Sequence, residues 1–259
     1  MEMQIDVTVN YSLSGPGAAI LLIEAAAAAG QDLRGAWIDL GDLQHFARVP
    51  SEEGIGERIV LGLGAQLACR YSARVGVTRP RPDPAAMAVV RVEQLPGDAL
   101  RYLLSSRYCQ GERFASFVAR EFGGVEGGAK VAAMRDWIQA NLSYVPGVSD
   151  AKTTAVDTFL DRQGICRDYA HLMISFCRAA MIPARIASVY SPAVSPQDFH
   201  AVTEVYLSGA WHLLDATGMA TADEMAVIAV GRDATDVAFL TTVNQASLQQ
   251  QVVEVTRTA

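Results

Sequence analysis

Cys166 follows Gly164-Ile165 and stands at the predicted start of a helix, a position that suits a nucleophilic thiol. A thiol at a helix N-terminus lies near unsatisfied backbone amides and the positive end of the helix dipole, which together favour the thiolate. The thiolate is the nucleophilic form, so Cys166 is a candidate nucleophile. The alternative is a buried small hydrophobe, the usual role of an unpaired cysteine. Cys177, on the apolar stripe of the same helix, fits that second role.

A predicted β-hairpin supplies a base and a carboxylate. Its strands are joined by Ser208-Gly209, which is typical of a two-residue turn. In that register Val202 lies opposite Asp215, so His200 shares this face and is diagonal to Asp215, within side-chain reach. A carboxylate there can fix the tautomer and orientation of the imidazole. A three-residue turn would direct His200 to the other face, so the pair requires the two-residue register or a bulge.

The other histidines are weaker candidates for the base. His171 lies five residues after Cys166 on the helix, about 140° around its axis, and should point elsewhere. His212 faces away from Asp215, and His45 lies in the first, β-rich part of the chain. A lone histidine is more often a structural residue, and an aspartate before Ala-Thr-Gly is usually a turn former. These structural roles stay open on spacing alone.

Two kinds of periodicity divide the chain. Alternation of apolar and polar residues from Ile5 to Leu13 predicts a strand, and a proline-rich loop at 78–84 ends the first β-rich region. After about Leu100 apolar residues recur at helical spacing. Other strands are predicted at 19–23, 59–63, 66–77, 184–190, 200–207, 211–215, near Phe239 and at 252–256, and helices near 114–122, 131–142, 154–162 and 166–180.

These patterns predict an α+β protein of two parts. A β-rich N-terminal domain should cover residues 1–105, and a catalytic domain should cover residues 106–259. The segment after about Thr221 has the weakest pattern of the second part.

Composition limits the partners and the compartment. Of the 259 residues 51% are hydrophobic, so a sizeable core is expected. The net charge of −7 makes nucleic acid an unsuitable partner, because the phosphate backbone is also negative. The four cysteines form no CxxC pair, which predicts neither a zinc site nor a disulfide framework and indicates a reducing compartment. The first 17 residues contain no Lys or Arg, and the apolar stretch 18–30 is too short to span a bilayer. We expect a soluble, cytoplasmic protein that does not bind membranes.

Several segments together resemble the bacterial transglutaminase-like proteins. The first half of the resemblance is the run 164–171 with Thr154-Ala155, Arg178 and residues 182–185. The second half is His200 with Glu204, Tyr206, Trp211, Asp215 and Thr217, followed by residues 231–234 and Asp236. The resemblance covers about residue 113 to the end, and the β-rich part is similar to the module that often precedes this domain. Order, spacing and secondary-structure context agree, which makes the resemblance specific.

The resemblance implies a papain-like fold and acyl transfer through a thioester, with Cys166, His200 and Asp215 as the catalytic triad. It implies a peptide or protein substrate and requires no cofactor and no metal. Hydrolysis of a peptide or isopeptide amide is the leading expectation, with amine transfer to glutamine, or a non-catalytic peptide-binding module, as alternatives. One departure affects the oxyanion donors. Animal transglutaminases carry a tryptophan near the start of the helix that precedes the cysteine, whereas the sequence here is Lys152-Thr153-Thr154. The Cys166 backbone N–H is one candidate donor.

Overall fold

The computed structural model describes residues 1–258 and confirms an α+β fold. The strands are β1 (Glu2–Leu13), β2 (Gly17–Leu21), β3 (Gln31–Asp39), β4 (His45–Pro50), β5 (Glu57–Leu63), β6 (Gln66–Val77), β7 (Ser143–Tyr144), β8 (Gln163–Gly164), β9 (Ala184–Tyr190), β10 (His200–Leu207), β11 (Ala210–Leu214), β12 (Ala226–Gly231), β13 (Leu240–Thr242) and β14 (Ala246–Thr258). The α-helices are α1 (Gly97–Leu100), α2 (Ala115–Phe122), α3 (Gly127–Asn141), α4 (Ala155–Asp161), α5 (Cys166–Ala179) and α6 (Ala234–Val237).

Two antiparallel sheets form the N-terminal part, with strand orders β14-β1-β6-β3 and β13-β2-β5-β4. The predicted alternation decides which side of β1 is buried, because successive side chains of a strand point to opposite faces. Met3, Ile5, Val7 and Val9 are all buried, and the residues between them are not.

The last two strands of the chain belong to these N-terminal sheets. β14 pairs with β1 in antiparallel register, from Glu2 opposite Thr258 to Leu13 opposite Ala246, and β13 pairs with β2. The division predicted at residues 105 and 106 stays a prediction, and it places this tail in the catalytic part. Local periodicity identifies strands but not their partners, which here are separated by more than two hundred residues.

A third sheet, of order β11-β10-β9-β12, carries the rest of the fold, and α5 packs against β10 and β9. The other face of α5 contacts a cluster of aromatic rings on the preceding helices. Phe176 of α5 lies 5.3 to 5.6 Å, between ring centroids, from Phe114, Phe117 and Trp137. Aromatic pairs at such distances add to the stabilisation that burial provides, so α5 is held between the sheet and the aromatic cluster. No helix within residues 1–258 is both long and apolar enough to cross a membrane.

Five strands were not predicted, namely β3, β4 and β12 together with the two-residue strands β7 and β8. β3 and β4 lie at sheet edges and are largely exposed, so their sequences lack a clear alternation. β12 is buried on both faces and reads as a continuous run of small apolar residues, AVIAVG, which periodicity alone does not assign.

Candidate active site

Cys166 is the first residue of α5, as predicted, and lines an open cleft of about 530 Å³. It is partly exposed, whereas Cys69, Cys109 and Cys177 are buried. The tight approach to the helix depends on Gly164, because a Cβ there would lie 2.7 Å from the Cβ of Asp168. Of the four thiols, Cys166 is therefore the one that a substrate can reach.

The turn before α5 is fixed by its own helix cap. The Asp168 carboxylate accepts a hydrogen bond of 2.9 Å from the Ile165 backbone N–H, and the Asp168 backbone N–H donates to the Ile165 carbonyl at 2.9 Å. A carboxylate in the first helical turn also interacts favourably with the helix dipole. The cap fixes the backbone next to Cys166 and so orients both its thiol and its backbone N–H.

The hairpin has the predicted two-residue turn. Thr203 lies opposite Leu214, and Leu207 lies opposite Ala210. His200 and Asp215 are therefore on one face, and His200 Nε2 lies 2.9 Å from Asp215 Oδ2. This leaves Nδ1 of His200 for the thiol, and the Cys166 side chain lies within hydrogen-bonding reach of the ring.

Both oxygens of the Asp215 carboxylate take part in hydrogen bonds. Oδ1 accepts hydrogen bonds from the Thr217 backbone N–H at 2.8 Å and the Thr217 hydroxyl at 2.7 Å, and Oδ2 also accepts from the Ala220 N–H at 3.0 Å. Burial would raise the pKa of Asp215, but the hydrogen bonds from His200 and Thr217 outweigh it and lower the pKa. The carboxylate is thus held ionised and oriented toward the imidazole.

Opposing effects also set the protonation of His200. Burial alone would lower its pKa, but the hydrogen bonds and charges of Asp215 and Cys166 prevail and raise the pKa to about 10. The imidazole is therefore held as the imidazolium across neutral pH, next to the thiol. An imidazolium beside a cysteine stabilises the thiolate and can later donate its proton to a leaving group.

The other histidines do not reach Asp215. His171 is buried, stacks on Tyr108 at 5.1 Å between ring centroids and accepts a hydrogen bond of 3.1 Å from the Ala234 backbone N–H through Nε2. Burial lowers the pKa of His171 to about 3. His212 Nε2 lies 3.1 Å from the Leu207 carbonyl. The predicted orientations of both residues, away from Asp215, are confirmed.

Tyr144 is a site residue that the sequence did not reveal. β7 and β8 form a two-residue parallel bridge that places Tyr144 beside Gly164, and the Val145 N–H donates to the Gly164 carbonyl at 3.0 Å. The Tyr144 hydroxyl lies within hydrogen-bonding reach of both the backbone N–H and the thiol of Cys166. Burial, then the charge of Cys166, raises the pKa of Tyr144 to about 12, so the phenol keeps its proton. The only sequence signal is an aromatic residue before the turn residues Pro146-Gly147.

Several motif residues hold the scaffold and do not face the cleft. Arg185 contacts Glu204 at 2.7 Å and lies 4.1 Å from the Trp211 ring centroid. Arg178 donates hydrogen bonds to three backbone carbonyls and one hydroxyl. These are the carbonyls of Tyr102, Ala184 and Arg232 and the hydroxyl of Ser106. These buried guanidinium groups are satisfied by fixed partners, as burial of a charge requires. Within residues 1–258 no cluster of three or more His, Cys, Asp or Glu side chains is placed to hold a metal ion.

The chain is similar to a known protein family, to a solved structure and to a curated relative. The model of the transglutaminase-like superfamily matches residues 116–216. A solved structure described as a candidate cysteine protease, from Cytophaga hutchinsonii, is 31% identical and superposes with a TM-score of 0.93, covering 99% of this chain and 90% of that chain. An uncharacterized protein of Mycobacterium leprae is 32% identical over 142 residues, 51% of this chain and 50% of that protein. The chain thus matches about half the length of this curated relative.

Proposed function

The chain belongs to the bacterial transglutaminase-like superfamily, and from that premise we propose that it is a cysteine-dependent hydrolase of a peptide or isopeptide amide. The observation that carries the proposal is the contact chain Cys166–His200–Asp215 at an open cleft. A partly exposed thiol, an imidazole in reach of it and an oriented carboxylate are the parts that covalent acyl transfer needs.

In the first half of the reaction the Cys166 thiolate attacks the amide carbonyl carbon. The carbonyl oxygen becomes an oxyanion, and in this proposal the Cys166 backbone N–H and the nearby Tyr144 hydroxyl stabilise it by donating hydrogen bonds. The His200 imidazolium gives its proton to the nitrogen as the C–N bond breaks. The amine leaves, and the acyl group remains on Cys166 as a thioester.

In the second half water attacks the thioester carbonyl. Neutral His200 takes a proton from this water, and the tetrahedral intermediate expels the Cys166 thiolate, which restores the ion pair and releases a carboxylic acid. Asp215 stays ionised throughout and holds the imidazole in place. Amine transfer would use the same thioester with an amine in place of water.

Trapping the intermediate tests the proposal. Intact-mass spectrometry after mixing the protein with N-acetyl dipeptide benzyl thioesters should show one acyl group added to wild type and none to Cys166→Ala. The free acid should then accumulate faster than the amide when a primary amine is present at a few mM. Excess amide would establish transfer instead of hydrolysis, and no adduct on a folded protein would leave the peptide-binding module as the better account.

The compartment is a separate proposal. All four cysteines are free, which suits a reducing compartment, and we propose a cytoplasmic location. Fractionation of cells that express the full gene at its native level should recover the protein with cytoplasmic markers, and recovery with periplasmic or secreted markers would refute this.

A further inference from the structure

One carboxylate in the cleft has no part in the triad. Asp198 lies two residues before His200 and lines the same cleft. The other charged side chain that lines the cleft outside the triad is Arg167, and it contacts Asp168 at 3.2 Å. Within residues 1–258, by contrast, Asp198 forms no ion pair. Outside the triad, the cleft therefore presents one exposed carboxylate that forms no ion pair with an arginine or lysine.

The Asp198 carboxylate is oriented by donors to one of its oxygens. Oδ1 accepts hydrogen bonds from the Phe199 backbone N–H at 2.7 Å and from Gln251 Nε2 at 2.6 Å. In the described part of the chain, Oδ2 has no hydrogen-bond partner. A carboxylate fixed through one oxygen, with the other open to a cleft, is prepared to accept a hydrogen bond from a ligand.

The loop that carries Asp198 is held by a strand from the N-terminal sheet. Gln197 Nε2 donates to the Val255 carbonyl at 2.7 Å, and the Val255 N–H donates to Gln197 Oε1 at 2.7 Å. Gln251 lies on the same strand, β14, four residues earlier. Three hydrogen bonds thus fix this loop to β14, which gives the N-terminal sheet a direct part in shaping the cleft.

The proposed mechanism indicates which half of the substrate lies beside Asp198. His200 must donate its proton to the departing nitrogen, so the amine half of the substrate lies next to His200. Asp198 is close to His200 in the chain and lines the same cleft. An amine that attacks the thioester occupies the place of the amine that left, because the two steps are the reverse of one another.

On the premise of the proposed acyl transfer, we propose that Asp198 binds a cationic group on the amine half of the substrate. The substrate class is an amide whose leaving amine carries a separate ammonium group, such as the α-amino or side-chain ammonium of a diamino acid residue. The ammonium would donate a hydrogen bond to the open Oδ2 of Asp198. Gln251 is a positioning residue that orients the carboxylate.

Two amines that differ only in a second charge test this. After acylation of the protein by an N-acetyl dipeptide benzyl thioester, the amide products of cadaverine and 1-pentylamine are quantified side by side. The ratio of cadaverine to pentylamine product should fall roughly threefold to tenfold in Asp198→Asn, a substitution that keeps the shape and the Gln251 hydrogen bond. Glu254→Gln, which removes an exposed charge from β14, should leave the ratio unchanged. A ratio in Asp198→Asn equal to that of wild type would overturn the proposal.

A thiol reaction separates this inference from the proposed function. Trimethylammonioethyl methanethiosulfonate and methyl methanethiosulfonate modify Cys166 without acyl transfer, and their rate ratio should also fall roughly threefold to tenfold in Asp198→Asn. Failure of every thioester to acylate a folded protein overturns the proposed function. A normal acyl-enzyme with both ratios unchanged in Asp198→Asn overturns the Asp198 proposal alone.

Discussion

The N-terminal sheets and the catalytic part use their interiors differently. Within residues 1–258 the buried polar side chains before residue 100 are Gln31 and Ser51, whereas all the others lie between Thr158 and Asp233. Burial of a polar or charged group costs free energy unless its partners are in place. The first region therefore owes its stability mainly to apolar packing, and the second contains polar networks that position a site.

The largest effect should come from removing the nucleophile. Cys166→Ala should lower activity at least about 10³-fold, because no other thiol lines the cleft. Its circular dichroism spectrum and thermal midpoint should stay close to wild type, since the side chain is partly exposed. Activity within tenfold of wild type in a folded variant would remove Cys166 from the mechanism.

His200 and Asp215 should be unequal. His200→Ala removes both base and acid and should cost nearly as much as Cys166→Ala, whereas Asp215→Asn keeps a thiol–imidazole pair and should cost roughly 10- to 100-fold. If His171→Ala were the more damaging change in folded protein, the assignment of the base would be wrong.

The pH dependence of kcat/KM also tests the pair formed by His200 and Asp215. The pKa of His200 is raised from 6.5 to about 10. The charged pair therefore contributes its full stabilisation below about pH 6.5 and loses it as the pH rises through about 10. The alkaline limb of kcat/KM should lie near pH 10 and move to lower pH in Asp215→Asn. An unmoved limb would mean that another group controls it.

Tyr144→Phe should have an intermediate effect. The hydroxyl lies within reach of the Cys166 N–H, where the oxyanion forms. Loss of one donor should lower kcat about 10- to 100-fold with little change in KM, because this hydrogen bond strengthens in the transition state. Tyr169→Phe is a matched control, since its ring lies 6.0 Å from that of Tyr144 but does not line the cleft. Equal kinetics of the two variants would exclude the Tyr144 hydroxyl as a donor.

The smallest effects are expected from substituting one buried cysteine in each of the two regions. Cys69 and Cys177 are fully buried, one in the N-terminal sheet and the other in α5. Alanine at either position should cost about 1–2 kcal/mol of unfolding free energy through loss of packing. Activity at a temperature where both variants are folded should stay within about twofold of wild type. A selective loss of activity in Cys177→Ala would show that α5 packing and chemistry are coupled.

The sequence was sufficient for features that neighbouring residues determine. The start of α5 at Cys166 and the two-residue turn of the hairpin follow from glycine placement and local periodicity, and together they predicted the contact between His200 and Asp215. Features that depend on distant segments were missed. The β7–β8 bridge that delivers Tyr144 contains two residue pairs, too few for any periodicity. The pairing of β14 with β1, which brings Gln251 to Asp198, depends on tertiary packing.

Activation of Cys166 by His200 can be measured as the rate of Cys166 alkylation by iodoacetamide at pH 6, followed by peptide mass mapping in wild type and His200→Ala. The imidazolium should stabilise the thiolate, so the Cys166 rate should fall at least about tenfold in the variant. The buried thiols Cys69, Cys109 and Cys177 should react slowly in both proteins. Equal Cys166 rates in wild type and a folded His200→Ala variant would contradict the claim that His200 activates this cysteine.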